Sequence, residues 1–303
     1  MTLLDRTIVR LLPAVPKPVV QLFSSRYIAG STLEDALRVV RRLNGQGKMA
    51  TLAVLGEEIT RESETLAIAQ AYRDAFAAIE RGRLDSNVSV KPSALGLDLS
   101  YDLCRENLES VLREAAKSGN FVRIDMEDSS TTSDTLRLYR ELRGKGFENV
   151  GVVLQAYLRR SLDDVRALAD LEPNVRLCKG IYIEPPAIAF TDYDAVRANY
   201  VRCLDALVDA GAYLGVATHD EWLIGEALTR VQGLQPSGYE FQMLLGVREQ
   251  RANELVAAGH RLRVYVPFGE HWYQYSLRRL QENPAMAGTI ARATVGRVLG
   301  RSS

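Results

Sequence analysis

From Ala50 onward the chain alternates between short apolar or alternating runs and longer helical stretches, and this rhythm constrains the fold more than any other feature. The strand candidates are Thr51–Leu55, Val88–Pro92, Val122–Glu127, Gly151–Tyr157, Val175–Tyr182, Tyr213–Thr218, Tyr239–Leu244 and Leu262–Val266. Between them, stretches such as Glu64–Glu80, Asp102–Lys117 and Ala195–Asp209 carry helix formers at helical spacing. Eight β–α alternations fit a TIM-type (βα)8 barrel, whose chemistry collects at the C-terminal ends of the strands. A doubly wound sheet is the rival, because alternation alone does not demonstrate closure. The expected organisation is an N-terminal helical arm over 1–45, a barrel over 46–283 and a C-terminal helical tail over 284–303. Ser31 or Thr32 would cap the amphipathic stretch that ends at Asn44-Gly45. Gly45-Gln46-Gly47-Lys48-Met49-Ala50 matches GxGxxA, but it follows a helix and precedes a strand. That is the reverse of the dinucleotide-binding order, so it reads as a turn.

Polar residues inside the apolar runs are the next signal. In Val122-Arg123-Ile124-Asp125-Met126-Glu127 the charged residues alternate with apolar ones, which puts the charged set on one face. Two carboxylates would then enter the barrel, either in a salt-bridge network with Arg123 or as part of a site. Lys91 and Lys179 also lie in predicted strands, where a lysine is unusual. Strict alternation sets Arg176 and Lys179 on opposite faces, and Gly180 would permit an irregularity that lets both approach one cavity. Gln155 and Tyr157 close one run, and Ala217-Thr218-His219-Asp220 closes another. Further on, Tyr275-Ser276-Leu277-Arg278-Arg279-Leu280-Gln281-Glu282 places Tyr275, the two arginines and Glu282 within reach of one another on a helix. Paired arginines suit a carboxylate, although the same spacing also makes an ordinary solvated helix face.

Composition excludes several classes. The 303 residues hold 38 basic and 38 acidic side chains, a balance that argues against nucleic-acid binding. Three widely spaced cysteines give neither a disulfide framework nor a CxxC metal site and favour the cytoplasm. Three histidines without an HExxH pattern argue against a histidine-built metal centre. No run approaches a membrane span, and the apolar N-terminus is broken by Arg10, Pro13, Pro16, Lys17 and Pro18. A peripheral contact with the inner face of the membrane remains compatible with this pattern.

Taken together, Arg26-Tyr27-Ile28-Ala29-Gly30, Ser89-Val90-Lys91, Ile124-Asp125-Met126-Glu127, Gln155-Ala156-Tyr157, Arg176-Leu177-Cys178-Lys179-Gly180, Ala217-Thr218-His219, Glu240-Phe241-Gln242 and the stretch from Tyr265 to Glu282 resemble the proline dehydrogenase family of flavoenzymes. The short length resembles the single-function bacterial form. The resemblance implies a distorted (βα)8 barrel that binds FAD non-covalently, oxidises L-proline to Δ1-pyrroline-5-carboxylate and passes electrons to a membrane quinone. It implies that Arg278 and Arg279 clamp the proline carboxylate with Lys91 assisting, that Tyr265 and Tyr275 line the pocket, and that Leu244 packs on the ring. Glu282 would pair with the arginines, and Asp125 would hydrogen-bond Tyr265. Arg176 would lie near flavin N5, while Met126, Gln155, Lys179, Gly180, Thr218 and His219 would contact other parts of FAD. Ile181 departs from the family, which usually carries alanine after Lys-Gly beside the substrate pocket.

Two other classes fit a barrel of this kind. A Schiff-base lyase would use Lys91 or Lys179 as nucleophile and would be trapped by borohydride with a carbonyl substrate. A non-enzymatic binding barrel fits poorly with so many polar groups at strand ends.

Overall fold

The eight runs form eight strands: β1 (Met49–Val54), β2 (Ser86–Val90), β3 (Val122–Ile124), β4 (Val150–Gln155), β5 (Asn174–Cys178), β6 (Tyr213–Ala217), β7 (Tyr239–Leu244) and β8 (Leu262–Phe268). This computed structural model describes residues 26–56, 59–273 and 276. Every neighbouring pair is parallel and β8 returns to β1, so the sheet is a closed barrel and the doubly wound alternative falls. Helices α2 (Glu62–Gly82), α3 (Tyr101–Lys117), α4 (Thr132–Gly144), α5 (Ser161–Leu168), α6 (Tyr193–Asp209), α7 (Glu221–Val231) and α8 (Glu249–Ala257) link successive strands. Among the described residues no helix is long and apolar enough to cross a membrane.

Helix α1 (Leu33–Asn44) precedes β1 and packs where β8 meets β1. Its start is set by a capping box: the Asp35 amide donates to Thr32 Oγ1 and the Thr32 amide to Asp35 Oδ2, both at 3.2 Å. Ala36, Leu37, Val40 and Leu43 form its buried stripe. The helix ends in a turn through Gly45 and Gly47, the latter at φ +71°, so the GxGxxA match is a chain reversal into β1. Residues 1–25 of the expected arm and the tail over 284–303 lie outside the described residues.

Period-2 geometry gives the barrel two unlike faces. Val88, Val90, Val122, Ile124, Val152, Val175, Leu177, Leu214 and Val216 are buried in the layer between strands and helices. The alternate residues, Thr51, Asn87, Ser89, Arg123, Arg176, Glu240, Gln242 and Arg263, are equally buried but polar. They share the strands' other face and fill the lumen. Most barrels fill this space with branched apolar side chains. Gly151 makes room here: a Cβ at that position would run into the Arg123 guanidinium.

Two strands, β3 and β5, end well short of their sequence runs. The last rung of β3 is the Asp125 amide donating to Val90 O at 2.8 Å, and beyond it the chain turns aside. Glu127 is drawn to the loop after β2, where it accepts from the Ser93 amide at 2.8 Å and the Ser93 hydroxyl at 2.6 Å. Strand β5 stops at Cys178 because Gly180 takes φ +104°.

Candidate active site

Side chains from β2, β5 and β8 converge on one carboxylate at the end of β3. Asp125 Oδ1 accepts from Ser89 Oγ at 2.6 Å and from a terminal nitrogen of Arg176 at 2.8 Å. Its other oxygen accepts from the Tyr265 hydroxyl at 3.2 Å. The Arg176 guanidinium also stands 5.5 Å from the centre of the Tyr265 ring. Asp125 and Arg176 form an ion pair whose side chains are 14% and 9% exposed, so each charge depends on the other for its solvation. Arg176 Nε donates to Gln242 Oε1 at 2.5 Å. The second terminal nitrogen of Arg176 has no protein partner among the described residues.

Arg123 does not join this site, contrary to one expectation from the alternation. It lies lower in the lumen, where it donates to Val152 O at 3.0 Å, to Asn174 O at 2.7 Å and to the Asn174 side chain. Burial and the like charge of Arg176 push its pKa down to about 9, so it remains a cation at neutral pH. Nor do two carboxylates enter the lumen side by side. Burial pushes the Glu127 carboxyl up, against the hydrogen bonds from Ser93 and the charge of Lys91.

Around the mouth, Lys91 directly follows β2 and is half-buried, and Met126 is buried just past β3. Gln155, at the end of β4, donates to Glu127 O at 2.7 Å. Leu244 ends β7, and its amide donates to His219 Nε2 at 3.0 Å, which makes Nε2 an acceptor and leaves the proton of a neutral ring on Nδ1. Thr218 Oγ1 accepts from the Asp220 amide at 3.1 Å. Lys179 points away from Arg176 and donates to Asp220 Oδ2 at 3.3 Å. Gly180 lies flat on the Tyr157 ring, where any side chain would overlap it. Ile181 is 38% exposed. Tyr275, Arg278, Arg279 and Glu282 lie outside the described residues.

Asp220 organises the β5–β6 side of the mouth. Besides Lys179 it accepts from Arg197 Nε at 2.9 Å, a terminal nitrogen of Arg197 at 2.7 Å, the Tyr193 hydroxyl at 2.6 Å and the Trp222 amide at 3.2 Å. Burial pushes its carboxyl up, but the bonds from Arg197, Tyr193 and Lys179 win and hold it far below the usual carboxylate range. Sequence reasoning quoted Asp220, Glu240 and Gln242 without giving them a place in the site. The available signal was the polar pair at i and i+2 inside the apolar run of β7, the same pattern that drew attention to Asp125. Among the described residues no cluster of His, Cys, Asp and Glu could hold a metal ion.

Residues 36–292 match the family model described as proline dehydrogenase. Proline dehydrogenase 1 of Bacillus subtilis (strain 168) is 39% identical over 274 residues, covering 90% of either chain. The proline dehydrogenase of Deinococcus radiodurans is 37% identical over 275 residues, covering 89% of either chain. Among solved structures, proline utilization A of Bdellovibrio bacteriovorus inactivated by N-propargylglycine superposes with a TM-score of 0.79 at 27% identity. The superposition takes in 86% of this chain but spans only 32% of that larger one.

Proposed function

Because the chain belongs to the proline dehydrogenase family and is an enzyme of proline oxidation, we propose that it transfers a hydride from C5 of L-proline to bound FAD and passes the electrons to a quinone. The observation that carries the cofactor assignment is Arg176: a buried guanidinium held by Asp125 and Gln242, with one terminal nitrogen left over as a donor. A flavin edge presents carbonyl oxygens and ring nitrogens that accept such a donor. The further donors at the mouth, Gln155, Lys179 and the Thr218 hydroxyl, suit the rest of a dinucleotide, with Met126, Gly180 and His219 beside them. Bound FAD would supply a two-electron acceptor at N5.

The protein's own part is orientation and charge. Tyr265, fixed by Asp125, would form one wall of the proline pocket, and Leu244 at the end of β7 another. Lys91, Arg278 and Arg279 would hold the carboxylate, with Tyr275 and Glu282 completing the clamp. A fixed carboxylate positions C5 without touching it, and such restraint removes a large entropic part of the barrier to a transfer between bound partners. The hydride can leave only when the ring nitrogen carries a lone pair, so positive charges around the amine favour the reactive neutral form. The nitrogen then loses its own proton and Δ1-pyrroline-5-carboxylate results.

The test is the visible spectrum of purified protein. We expect a flavin spectrum that bleaches anaerobically with L-proline and returns on addition of a soluble quinone, with FAD released on denaturation. A protein that neither carries nor rebinds FAD would overturn the assignment.

A further inference from the structure

Strand β7 contributes two buried polar side chains, Glu240 and Gln242, that the chemistry above leaves without a role. Gln242 lies between two groups of opposite hydrogen-bonding character. Its Oε1 accepts from Arg176 Nε, and its Nε2 donates to Glu240 Oε1, both at 2.5 Å. Glu240 in turn accepts from Arg263 Nε at 2.8 Å and from the Tyr213 hydroxyl at 2.7 Å. Arg263 is anchored across the β8–β1 seam on Ala50 O at 2.8 Å.

An amide has two orientations related by a flip, and each neighbour here votes for the same one. A guanidinium only donates, so it needs the amide oxygen; an ionised carboxylate only accepts, so it needs the NH2. Burial pushes the Glu240 carboxyl up, but the charge of Arg263 and the bonds from Arg263 and Tyr213 hold it below the usual range. It therefore stays an acceptor at neutral pH. Space for the bridge comes from Gly215 on β6, the strand between β5 and β7. A Cβ there would come within 2.6 Å of Gln242 Nε2 and 3.4 Å of the Arg176 Cα.

We propose that Glu240 and Gln242 are positioning residues that lock the plane of the Arg176 guanidinium, the carboxylate setting the amide flip and the amide oxygen holding Nε. Asp125 holds one terminal nitrogen, and a guanidinium held at two of its three nitrogens cannot turn. The remaining nitrogen is thereby presented to the cofactor in one orientation. This inference rests on the assignment of Arg176 to the flavin site.

Gln242→Met removes the acceptor at nearly constant volume, while Gly215→Ala removes no polar group and displaces the amide by crowding it. In flavin-loaded protein we expect both to lower the anaerobic rate constant for flavin reduction at saturating L-proline by tenfold or more, or to weaken flavin retention by that factor. The Kd of a cyclic carboxylate inhibitor should move less than threefold, because neither variant alters a residue proposed for the carboxylate clamp. In 15N-labelled wild type the Arg176 Nε–H resonance, assigned by its loss in Arg176→Lys, should exchange with solvent at least tenfold more slowly than those of surface arginines. Reduction rates and flavin retention within twofold of wild type in either folded variant would overturn the proposal, even with a lowered Tm. So would an Arg176 Nε–H that exchanges like a surface one, a reading that still decides if neither variant folds. A wild type that never binds flavin defeats the functional assignment instead, and the Nε–H measurement then still decides whether the lock exists.

Discussion

Asp125 satisfies three donors from three different strands, so its removal disorders three side chains at once. Asp125→Ala should lower kcat/KM for L-proline by roughly a hundredfold, the scale of a misplacement of about 1 Å. Near-native turnover in a folded, flavin-loaded variant would remove Asp125 from the site. Asp220 offers a residue-scale prediction about pH. Its folded carboxyl titrates well below the ordinary value of 3.8, so the stability it contributes is complete above that value and is lost progressively as pH falls from there towards the lower folded pKa. Asp220→Asn should therefore destabilise the protein by about 2–4 kcal/mol near neutral pH, less than a fully buried pair because Lys179 and Arg197 are partly exposed. The gap in urea midpoint between the two proteins should be full above about pH 5 and should narrow steadily as pH falls below about 4. A gap that persists unchanged at pH 3 would show that the carboxylate charge is not its cause.

The segment after β5 shows how one position controls an element. Gly180 combines φ +104° with a face pressed on the Tyr157 ring, and this pairing turns the chain out of the barrel at the point where Lys179 meets Asp220. The loop that follows is tied to the one after β3, where Glu184 accepts from the amide and the hydroxyl of Ser129, each at 2.7 Å. Gly180→Ala adds both backbone strain and overlap, together about 2–4 kcal/mol. Urea unfolding in a double-mutant cycle with Tyr157→Ala would separate the two: the overlap should vanish in the smaller background and the strain should remain. Strict additivity of the two substitutions would mean that the ring and the glycine do not constrain each other.

At the scale of the whole molecule, the barrel closes with strands that end at Phe268. The proposed carboxylate clamp belongs to a stretch that begins at Tyr275. On that proposal, folding and the arginine grip on the carboxylate should separate along the chain. A protein ending at Tyr273 should keep barrel secondary structure and a cooperative unfolding transition, yet lose measurable binding of a cyclic carboxylate inhibitor. In the full chain, Arg278→Met or Arg279→Met should each cost about 2–5 kcal/mol of inhibitor binding, as truncation of a buried charge pair does. Exposed arginines on a solvated helix would cost roughly 0–1 kcal/mol, so a change below threefold in both would reject the clamp.

The number, order and approximate limits of the strands were legible in the chain because strand and helix impose different local periods, and polar residues near strand ends marked the mouth of the barrel for the same reason. The partners were not legible. Arg123 is two residues from Asp125 and on the same face, yet it bonds Asn174, and Asp125 pairs with Arg176, 51 positions away. Residues i and i+2 share a face about 7 Å apart, within reach of long side chains as Gln242 and Glu240 show, so spacing along one strand does not decide which partner a charged group takes. Closure and strand tilt instead bring the end of β3 level with the middle of β5 across the lumen. Glu240 and Gln242 follow the same logic. Their alternation placed them on one face and within reach of each other, but only the closed barrel brought Arg176 to the Gln242 amide.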